Sequence, residues 1–393
     1  MRIGVNCFLL RAHIGGLKQY FLTLFNELLQ HDAENEYVFF WFAHNEEELN
    51  RLETERWKVN AILLRDQSEI AEYRHRMDLY FCPFGALYPR PLPLPTVVML
   101  ADIQEVFYPG FFTAADRYIH DLHSPSSTQM ADRVVTLSNF SKATIVKHHR
   151  LPDEKVIVVH LSAENCYYHT DKIGRPVTQP LPEEFIFYPA NFWKHKNHES
   201  LLQALSFLQK ARNLSIPVVF TGFEQANGYP LSEKIQEYGL ARAHILGYVS
   251  REKMAYLYSR AHMLVFPSLF EGFGIPLVEA MASGCPVVAS NATSIPEVMG
   301  DAGLLFDPTC PRAIADAVEK VWCDAALRHK MVSSGKRRAK SFSSAHVAEA
   351  HQAVFAEARD AYSYANFLRR RWILQPYHRV CVEWHWRRTR LQC

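Results

Sequence analysis

Two carboxylates lie beside a glycine-rich loop in the second half of the chain. Glu271 stands immediately before Gly272 and Gly274, and Glu279 follows eight residues after Glu271. A glycine loop that opens a helix is an anion site, because its backbone N–H groups and the helix dipole face the ligand. Carboxylates at such a site are consistent with a ligand that carries hydroxyl groups as well as phosphates. A nucleotide sugar is such a ligand.

The residues around this loop have the pattern of a strand, a loop, a helix and a second strand. Residues 261–266 are apolar and strand-like, and Pro276 suits the first turn of a helix predicted over 277–283. Gly284 is placed to end that helix, and residues 285–290 are predicted to form the next buried strand. This order is the unit from which parallel α/β sheets are built.

The same alternation of strands and helices runs through the whole chain. Its 393 residues are too many for one ordinary core, so we expect two Rossmann-like, doubly wound α/β domains that face a ligand-binding cleft. The polar, proline-rich segment 171–184 is the best candidate for a linker. The predicted organisation is a first domain over 1–170, the linker, a second domain over 185–345, a helix over 346–365 that crosses back to the first domain, and a tail over 366–393.

The composition gives few signals of a special environment. The formal net charge of +2 offers no global sign of nucleic-acid binding, and no run of about 18 apolar residues predicts a membrane span. The eight cysteines show neither C-x-x-C nor metal-ligand spacing, so we expect reduced thiols and a cytoplasmic location.

The tail over 366–393 differs from the rest of the chain. It holds seven arginines against one acid, Glu383, with Trp372, Trp384 and Trp386 among them. This composition suits an anionic membrane surface, single-stranded nucleic acid, or a packed terminal helix with a solvated basic face. We expect peripheral contact with the inner face of the plasma membrane and no nucleic-acid partner.

The residues around the glycine loop resemble the signature of retaining glycosyltransferases of family 4, the glycosyl transferases group 1, which have the two-domain GT-B fold. The resemblance is strong from about 185 to 310, weaker over 1–170, and absent from the tail. The segments that carry it, in family order, are Tyr188–Trp193, His195–Asn197, Leu246–Ser250, Val265–Ser268, Glu271–Gly274, Glu279–Met281, Pro286–Val288 and Pro296–Glu297.

The resemblance implies a role for each residue of the second domain's site. Glu279 would bind the ribose hydroxyls, Glu271 the donor sugar, and Lys196 the diphosphate leaving group. Each also has a simpler interpretation: Glu279 as an exposed helix residue, Glu271 as a helix cap, and Lys196 as a surface lysine. The resemblance gives Lys196, Glu271 and Asp102 as catalytic, and Gly15, Gly16, Asn191, Gly272, Phe273, Gly274 and Glu279 as donor-binding. Lys194 could replace an arginine that many relatives carry near Asn191.

In the first domain, Gly15 and Gly16 resemble a loop whose amides face the phosphates. The segment 96–104 resembles one that usually ends in His-Asp, but here Ala101 replaces the histidine and Asp102 remains. The replacement has three interpretations: a different donor sugar, a substitute histidine such as His13 or His120, or weak activity.

The function that the resemblance implies is transfer of a hexosyl group, with retention, from a UDP- or GDP-sugar to a glycan or lipid-linked glycan. A mannosyl donor follows from family habit, and the expected cytoplasmic location with the basic-aromatic tail suggests a role in surface polysaccharide or lipopolysaccharide assembly. No D-x-D motif lies near the site, so we expect neither a metal nor another cofactor. The alternatives are a catalytically weak or inactive nucleotide-sugar-binding partner protein, a GT-B-like sugar-nucleotide epimerase, and a membrane-associated subunit of a polysaccharide assembly complex.

Overall fold

The computed structural model describes residues 1–11, 15–90, 92–173, 180–223 and 228–374. The chain divides into two compact units, one formed by Met1–Leu161 with the chain from Ser344 onward, the other by Ser162–Ser343. Each unit holds one parallel β-sheet with helices between its strands. The predicted fold class, α/β with two Rossmann-like domains, is confirmed.

The first unit begins with an alternation of strands and helices. Its elements up to residue 161 are β1 (Arg2–Asn6), α1 (Gly16–His31), β2 (Glu36–Trp41), α2 (Glu46–Leu49), β3 (Ala61–Leu63), β4 (Leu79–Cys82), β5 (Thr96–Met99), α3 (Gln104–Phe107), α4 (Ala114–Met130), β6 (Arg133–Thr136), α5 (Asn139–His149) and β7 (Val156–Val158). Over the described residues, seven strands pair in parallel in the order β3-β2-β1-β4-β5-β6-β7. The central strands are buried along their length, as a parallel sheet covered on both faces requires.

One predicted helix of this unit is shorter than its sequence pattern. The acidic pattern predicts a helix over 46–55, but α2 ends at Leu49 and a separate turn of 3₁₀-helix follows at Glu55–Lys58. The hydroxyl of Thr54 accepts a hydrogen bond from the backbone of Arg56 and so starts this new turn. The turn brings Trp57 inward against Trp41, with ring centroids 5.8 Å apart. Burial of the indole therefore overrides the helical pattern.

The second unit repeats the alternation. Its elements are α6 (Asn165–Tyr168), β8 (Ile186–Pro189), α7 (His198–Ala211), β9 (Val218–Thr221), α8 (Leu231–Glu237), β10 (Ala243–Ile245), α9 (Arg251–Arg260), β11 (Met263–Phe266), α10 (Ile275–Ala282), β12 (Val287–Ser290), α11 (Ile295–Met299), β13 (Leu304–Phe306), α12 (Pro311–Cys323) and α13 (Ala325–Ala339). The sheet order is β10-β9-β8-β11-β12-β13. The strand order therefore reverses between β8 and β11, which is where ligands bind in open α/β sheets.

The chain then returns to the first unit through α14 (Ser344–Ala361) and α15 (Tyr364–Arg369). α14 packs on α1, β5 and β6, and the hydroxyl of Tyr20 lies 2.6 Å from Nε2 of His351 in the core. Beyond α15, Arg370 forms an ion pair of 2.7 Å with the buried Asp132, directly before β6. Arg370 thus anchors the end of the described chain to the start of β6.

From position 375 onward, the predicted tail lies outside the described residues. Within the described ranges, no helix combines the length and the apolarity needed to cross a membrane.

Gly222, at the end of β9, is a position where the second unit requires glycine. Its φ is +134°, and a Cβ there would lie 2.3 Å from the backbone oxygen of Ala190. We expect Gly222→Ala to destabilise the unit by at least about 2 kcal/mol, because backbone atoms cannot move aside as side chains do. Urea unfolding followed by tryptophan fluorescence measures the change. Gly110→Ala, where nothing lies within 4 Å of the added carbon, is the matched control, and equal unfolding midpoints for the two variants would contradict the expectation.

Candidate active site

The loops after β8 and β11 lie on both sides of the point where the strand order reverses. The first loop carries Lys196 and the second carries Glu271. The ammonium Nζ of Lys196 lies 2.6 Å from Oε1 of Glu271, and the two side chains are 18% and 11% exposed. The structure therefore brings together two of the three predicted catalytic residues as a largely buried ion pair, and neither is a simple surface residue.

The loop that carries Lys196 is fixed by hydrogen bonds to its neighbours. Asn197 has a left-handed backbone with a φ of 58°, and its amide donates to the backbone oxygens of Pro267 (3.0 Å) and Pro308 (2.8 Å). The hydroxyl of Tyr188 donates to the backbone oxygen of Lys196 at 2.6 Å. These contacts position the backbone from which the Lys196 side chain reaches Glu271.

Hydrogen bonds from the loop before α11 hold the Glu271 loop. The backbone N–H of Glu271 donates to Oγ1 of Thr293 at 3.0 Å, and the hydroxyl of Ser294 donates to the backbone oxygens of Glu271 (2.9 Å) and Phe273 (3.1 Å). Gly274 has a φ of 94°, which glycine adopts without strain, and α10 begins at the next residue. The predicted glycine loop at a helix N-terminus is confirmed.

The carboxylate of Glu279 lies on α10 and is buried, with the residue 5% exposed. It accepts a hydrogen bond of 2.9 Å from the hydroxyl of Tyr258. Burial raises the pKa of Tyr258 well above its usual range, and the charge of Glu279 adds to the rise. The phenol is therefore a donor that holds the carboxylate in one orientation, and the interpretation of Glu279 as an exposed helix residue is wrong.

Asn191 lies after β8, and its side-chain oxygen accepts a hydrogen bond of 3.2 Å from the backbone N–H of Phe223. This contact joins the ends of β8 and β9. Lys194, the candidate replacement for an arginine, is exposed, whereas Lys196 is largely buried. Of the two lysines, Lys196 is thus the one that the loop directs towards Glu271.

The remaining predicted residues belong to the first unit. Gly15 has a φ of 52°, and no described atom lies within 4 Å of the position that a Cβ would take there. Gly16 begins α1. The carboxylate of Asp102 accepts a hydrogen bond of 3.1 Å from the backbone N–H of Gln104. Of the two candidate substitutes for the missing histidine, His13 lies outside the described residues, and His120 lies on α4 with Nδ1 3.7 Å from Oε1 of Glu105.

Four further residues support this site, namely Tyr258, Thr293, Ser294 and Asn197. The sequence alone predicted no role for them, although Asn197 lies in a segment that carries the family resemblance. All four act through long-range hydrogen bonds rather than through a local pattern. A signal existed for Asn197, because asparagine is one of the few residues besides glycine that adopt a left-handed backbone, and Asn197 has this backbone where it closes the 3₁₀ turn Lys194–Lys196.

Comparisons with known proteins show which sequences and folds the chain is similar to. Residues 170–338 match the family model described as glycosyl transferases group 1. The chain is 33% identical over 229 residues to O-antigen chain mannosyltransferase B of Escherichia coli, a match that covers 55% of this chain and 58% of the relative. It is 26% identical over 232 residues to O-antigen chain mannosyltransferase RfbU of Salmonella typhimurium, covering 59% and 62%. The chain thus spans less than two thirds of the length of each of these curated relatives.

The fold also has counterparts among solved structures. HepE from Anabaena, crystallised with UDP and glucose, superposes with a TM-score of 0.70 over 91% of this chain and 99% of its own, at 17% sequence identity. At this identity the likeness shows the fold. The chain therefore has the two-domain fold of such structures, and its second unit carries the sequence features of glycosyl transferases group 1 over residues 170–338.

Proposed function

We propose that the protein is a retaining glycosyltransferase of family 4, which moves a hexosyl group from a nucleoside diphosphate sugar to an acceptor hydroxyl. The observation that carries the proposal is the Lys196–Glu271 ion pair at the reversal of the strand order, within the region that matches glycosyl transferases group 1. A cation, a carboxylate and a glycine loop at one point provide ligands for both the phosphates and the hydroxyls of such a donor.

The ion pair suggests how the donor is received. In the structure the Lys196 ammonium is neutralised by Glu271 at 2.6 Å. A diphosphate that enters beside the glycine loop offers the ammonium more negative charge than one carboxylate does. Lys196 would then turn to the phosphates and oppose the charge that develops on the leaving group, while Glu271 accepts hydrogen bonds from the sugar hydroxyls.

Glu279 is proposed to bind the ribose. A carboxylate can accept hydrogen bonds from both hydroxyls of a vicinal diol, and Tyr258 fixes the orientation of this one. The backbone N–H groups of Phe273 and Gly274, with Gly272, supply the dipoles at the start of α10. Asn191 is proposed to contribute indirectly, through its hydrogen bond to the backbone of Phe223.

Retention of configuration is proposed by a front-face route. Lys196 is paired with Glu271, and Tyr258 holds Glu279 on α10, so we assign binding roles to these carboxylates instead of nucleophilic ones. In the front-face route the bond from the anomeric carbon to the phosphate oxygen breaks and the diphosphate keeps the electron pair. The acceptor oxygen bonds to the anomeric carbon on that same face, and a diphosphate oxygen takes the proton of the acceptor hydroxyl. Positioning and leaving-group stabilisation then provide the rate.

A mannosyl donor and a role in surface polysaccharide assembly are supported by relatives that are named O-antigen chain mannosyltransferases. GDP and UDP are both candidates for the nucleotide, since UDP is present in the HepE structure. Gly15, Gly16 and Asp102 are proposed to take part from the first unit. Ala101, at the place of the usual histidine, favours an inactive nucleotide-sugar-binding protein as the second candidate.

The test is mass spectrometry of products from the full chain with UDP-, GDP- and dTDP-sugars and mannose-containing acceptors, with and without EDTA. A mass increase of one hexose on an acceptor supports the proposal, and the EDTA samples test the prediction that no metal is needed. Nucleotide binding without any product supports the inactive binder. An altered sugar nucleotide formed without an acceptor supports the epimerase, and either result would overturn the proposed activity.

Membrane contact through the tail is a separate proposal. Trp372, the last tryptophan that the structure describes, is 68% exposed, and the guanidinium of Arg371 lies 5.1 Å from the centre of its ring. We expect a chain that ends at residue 374 to lose most of its binding to vesicles with anionic lipids. This truncation keeps Arg370, whose removal would leave the buried Asp132 without its ion pair.

Vesicle co-sedimentation with and without phosphatidylglycerol measures the loss. Binding that is unchanged by the truncation, or that does not depend on the anionic lipid, would contradict membrane contact through the tail.

A further inference from the structure

A second carboxylate with an unusual environment lies in the first unit, close to the end of β5. Glu105 is on the short helix α3, three residues after Asp102. Its Oε1 lies 3.7 Å from Nδ1 of His120 on α4. The two residues therefore face each other beyond the carboxyl end of a central strand, which is the edge at which parallel α/β sheets bind their ligands.

Glu105 is buried more deeply than an ordinary surface carboxylate. Its side chain is 9% exposed. Its own backbone N–H donates to the carboxylate, and Nδ1 of His120 faces it at 3.7 Å. Burial raises the pKa of Glu105 to about 7; the backbone hydrogen bond opposes this rise and the charge of Asp121 adds to it. Folding has therefore buried a carboxylate whose local hydrogen bond only partly compensates for the loss of water.

His120, which faces Glu105, is itself partly exposed to solvent. Its side chain is 44% exposed, and its ring makes an edge contact with Phe112 at 5.6 Å between centroids. Burial lowers the pKa of His120, and the carboxylates of Asp116, Asp102 and Asp121 oppose this change. A neutral imidazole offers one donor and one acceptor, and the adjoining ring offers an apolar wall.

The chemistry of this pair fits a polyhydroxyl ligand. A carboxylate accepts from hydroxyl groups, an imidazole both donates and accepts, and an aromatic ring packs on the apolar face of a sugar. Among the described residues, no group of three or more His, Cys, Asp or Glu side chains could hold a metal ion, so the groups on this surface do not assemble into a cation site.

We propose that Glu105 and His120 bind hydroxyl groups of the acceptor sugar at the carboxyl end of β5. The proposal rests on the proposed glycosyltransferase function and adds to it a location for acceptor recognition. Ala101, at the same strand end, has no polar side chain to contribute. Glu105 and His120 would thus supply polar contacts that Ala101 does not.

The experiment measures sugar binding and transfer separately, in the full chain. Saturation-transfer NMR with the methyl glycosides of mannose, glucose, galactose and N-acetylglucosamine reports binding even if no transfer occurs. We expect Glu105→Gln and His120→Gln to weaken binding of at least one of these sugars about 10-fold, because each substitution removes the carboxyl or the imidazole group that hydrogen-bonds to the sugar hydroxyls. In transfer assays the acceptor KM should rise by a similar factor, while calorimetric affinities for GDP and UDP stay within twofold.

Matched substitutions on the surface of the first unit are the controls. Glu154→Gln and His31→Gln change exposed residues and should leave sugar binding unchanged. Circular dichroism checks folding, and Glu105→Ala provides a second variant if Glu105→Gln is unstable. Failure of any sugar to bind the wild-type chain, or equal binding by wild type and both variants, would overturn the proposal. A chain that binds sugar but transfers none to any acceptor would instead remove the glycosyltransferase function.

Discussion

Lys196→Ala is expected to lower kcat about 100-fold or more at saturating donor. Removing one group that stabilises developing negative charge in an enclosed site typically costs a factor of this size. Lys196 is suited to that role because its ammonium is largely buried and already lies 2.6 Å from a carboxylate. Steady-state kinetics with the donor identified by the mass-spectrometric panel measure the effect.

The neighbouring lysine is the matched control for this prediction. Lys194 lies on the same loop but is exposed, so Lys194→Ala should keep kcat within about threefold of the wild type. Lys196→Arg should recover part of the loss, because it keeps the charge but changes its geometry. Equal kcat values for Lys194→Ala and Lys196→Ala would remove Lys196 from the leaving-group role.

Glu279→Ala is expected to raise the dissociation constants of GDP or UDP by about 10- to 100-fold, the usual effect of losing hydrogen bonds to a charged group. Calorimetric titration measures these constants. A nucleotide without the 2′-hydroxyl tests the ribose assignment more specifically. Replacing the nucleotide by its 2′-deoxy form should weaken binding to the wild type but change binding to Glu279→Ala very little. An equal loss in both proteins would place the 2′-hydroxyl away from Glu279.

A structural effect of Glu279→Ala must be separated from the binding effect. The buried hydroxyl of Tyr258 loses its acceptor in this variant, which costs about 1–3 kcal/mol of stability. Tyr258→Phe removes the same hydrogen bond and keeps the carboxylate. We therefore expect Tyr258→Phe to bind nucleotide more tightly than Glu279→Ala does, with urea unfolding to compare their stabilities.

The local parts of the fold and of the site could be predicted from the sequence. The helix α10 lies close to the predicted range because Gly274, Pro276 and Gly284 act within a few residues of their own positions. The strands follow from apolar runs for the same reason. The helix predicted over 46–55 ends already at Leu49, and a separate turn at Glu55–Lys58 packs Trp57 against the distant Trp41.

The contacts that give the site its electrostatics could not be read from the sequence. Lys196 and Glu271 are 75 residues apart along the chain, and they meet because β8 and β11 are neighbours in the sheet. The helical pattern around Glu279 is the same whether its side chain is exposed or buried. Only the structure, with the buried hydrogen bond from Tyr258, shows that the side chain is buried. Glu105 gave no signal, because the imidazole that it faces belongs to His120, which lies 15 residues further along the chain on another helix.

The proposed function depends on a nucleoside diphosphate site at the Lys196–Glu271 pair and the adjoining α10. Calorimetric titration of GDP and GMP, and of UDP and UMP, into the wild type and Lys196→Ala measures the contribution of this site. We expect the wild type to bind one diphosphate at least about tenfold more tightly than its monophosphate, and Lys196→Ala to lose this preference. Binding of neither diphosphate, or an undiminished preference in Lys196→Ala, would contradict the proposed site.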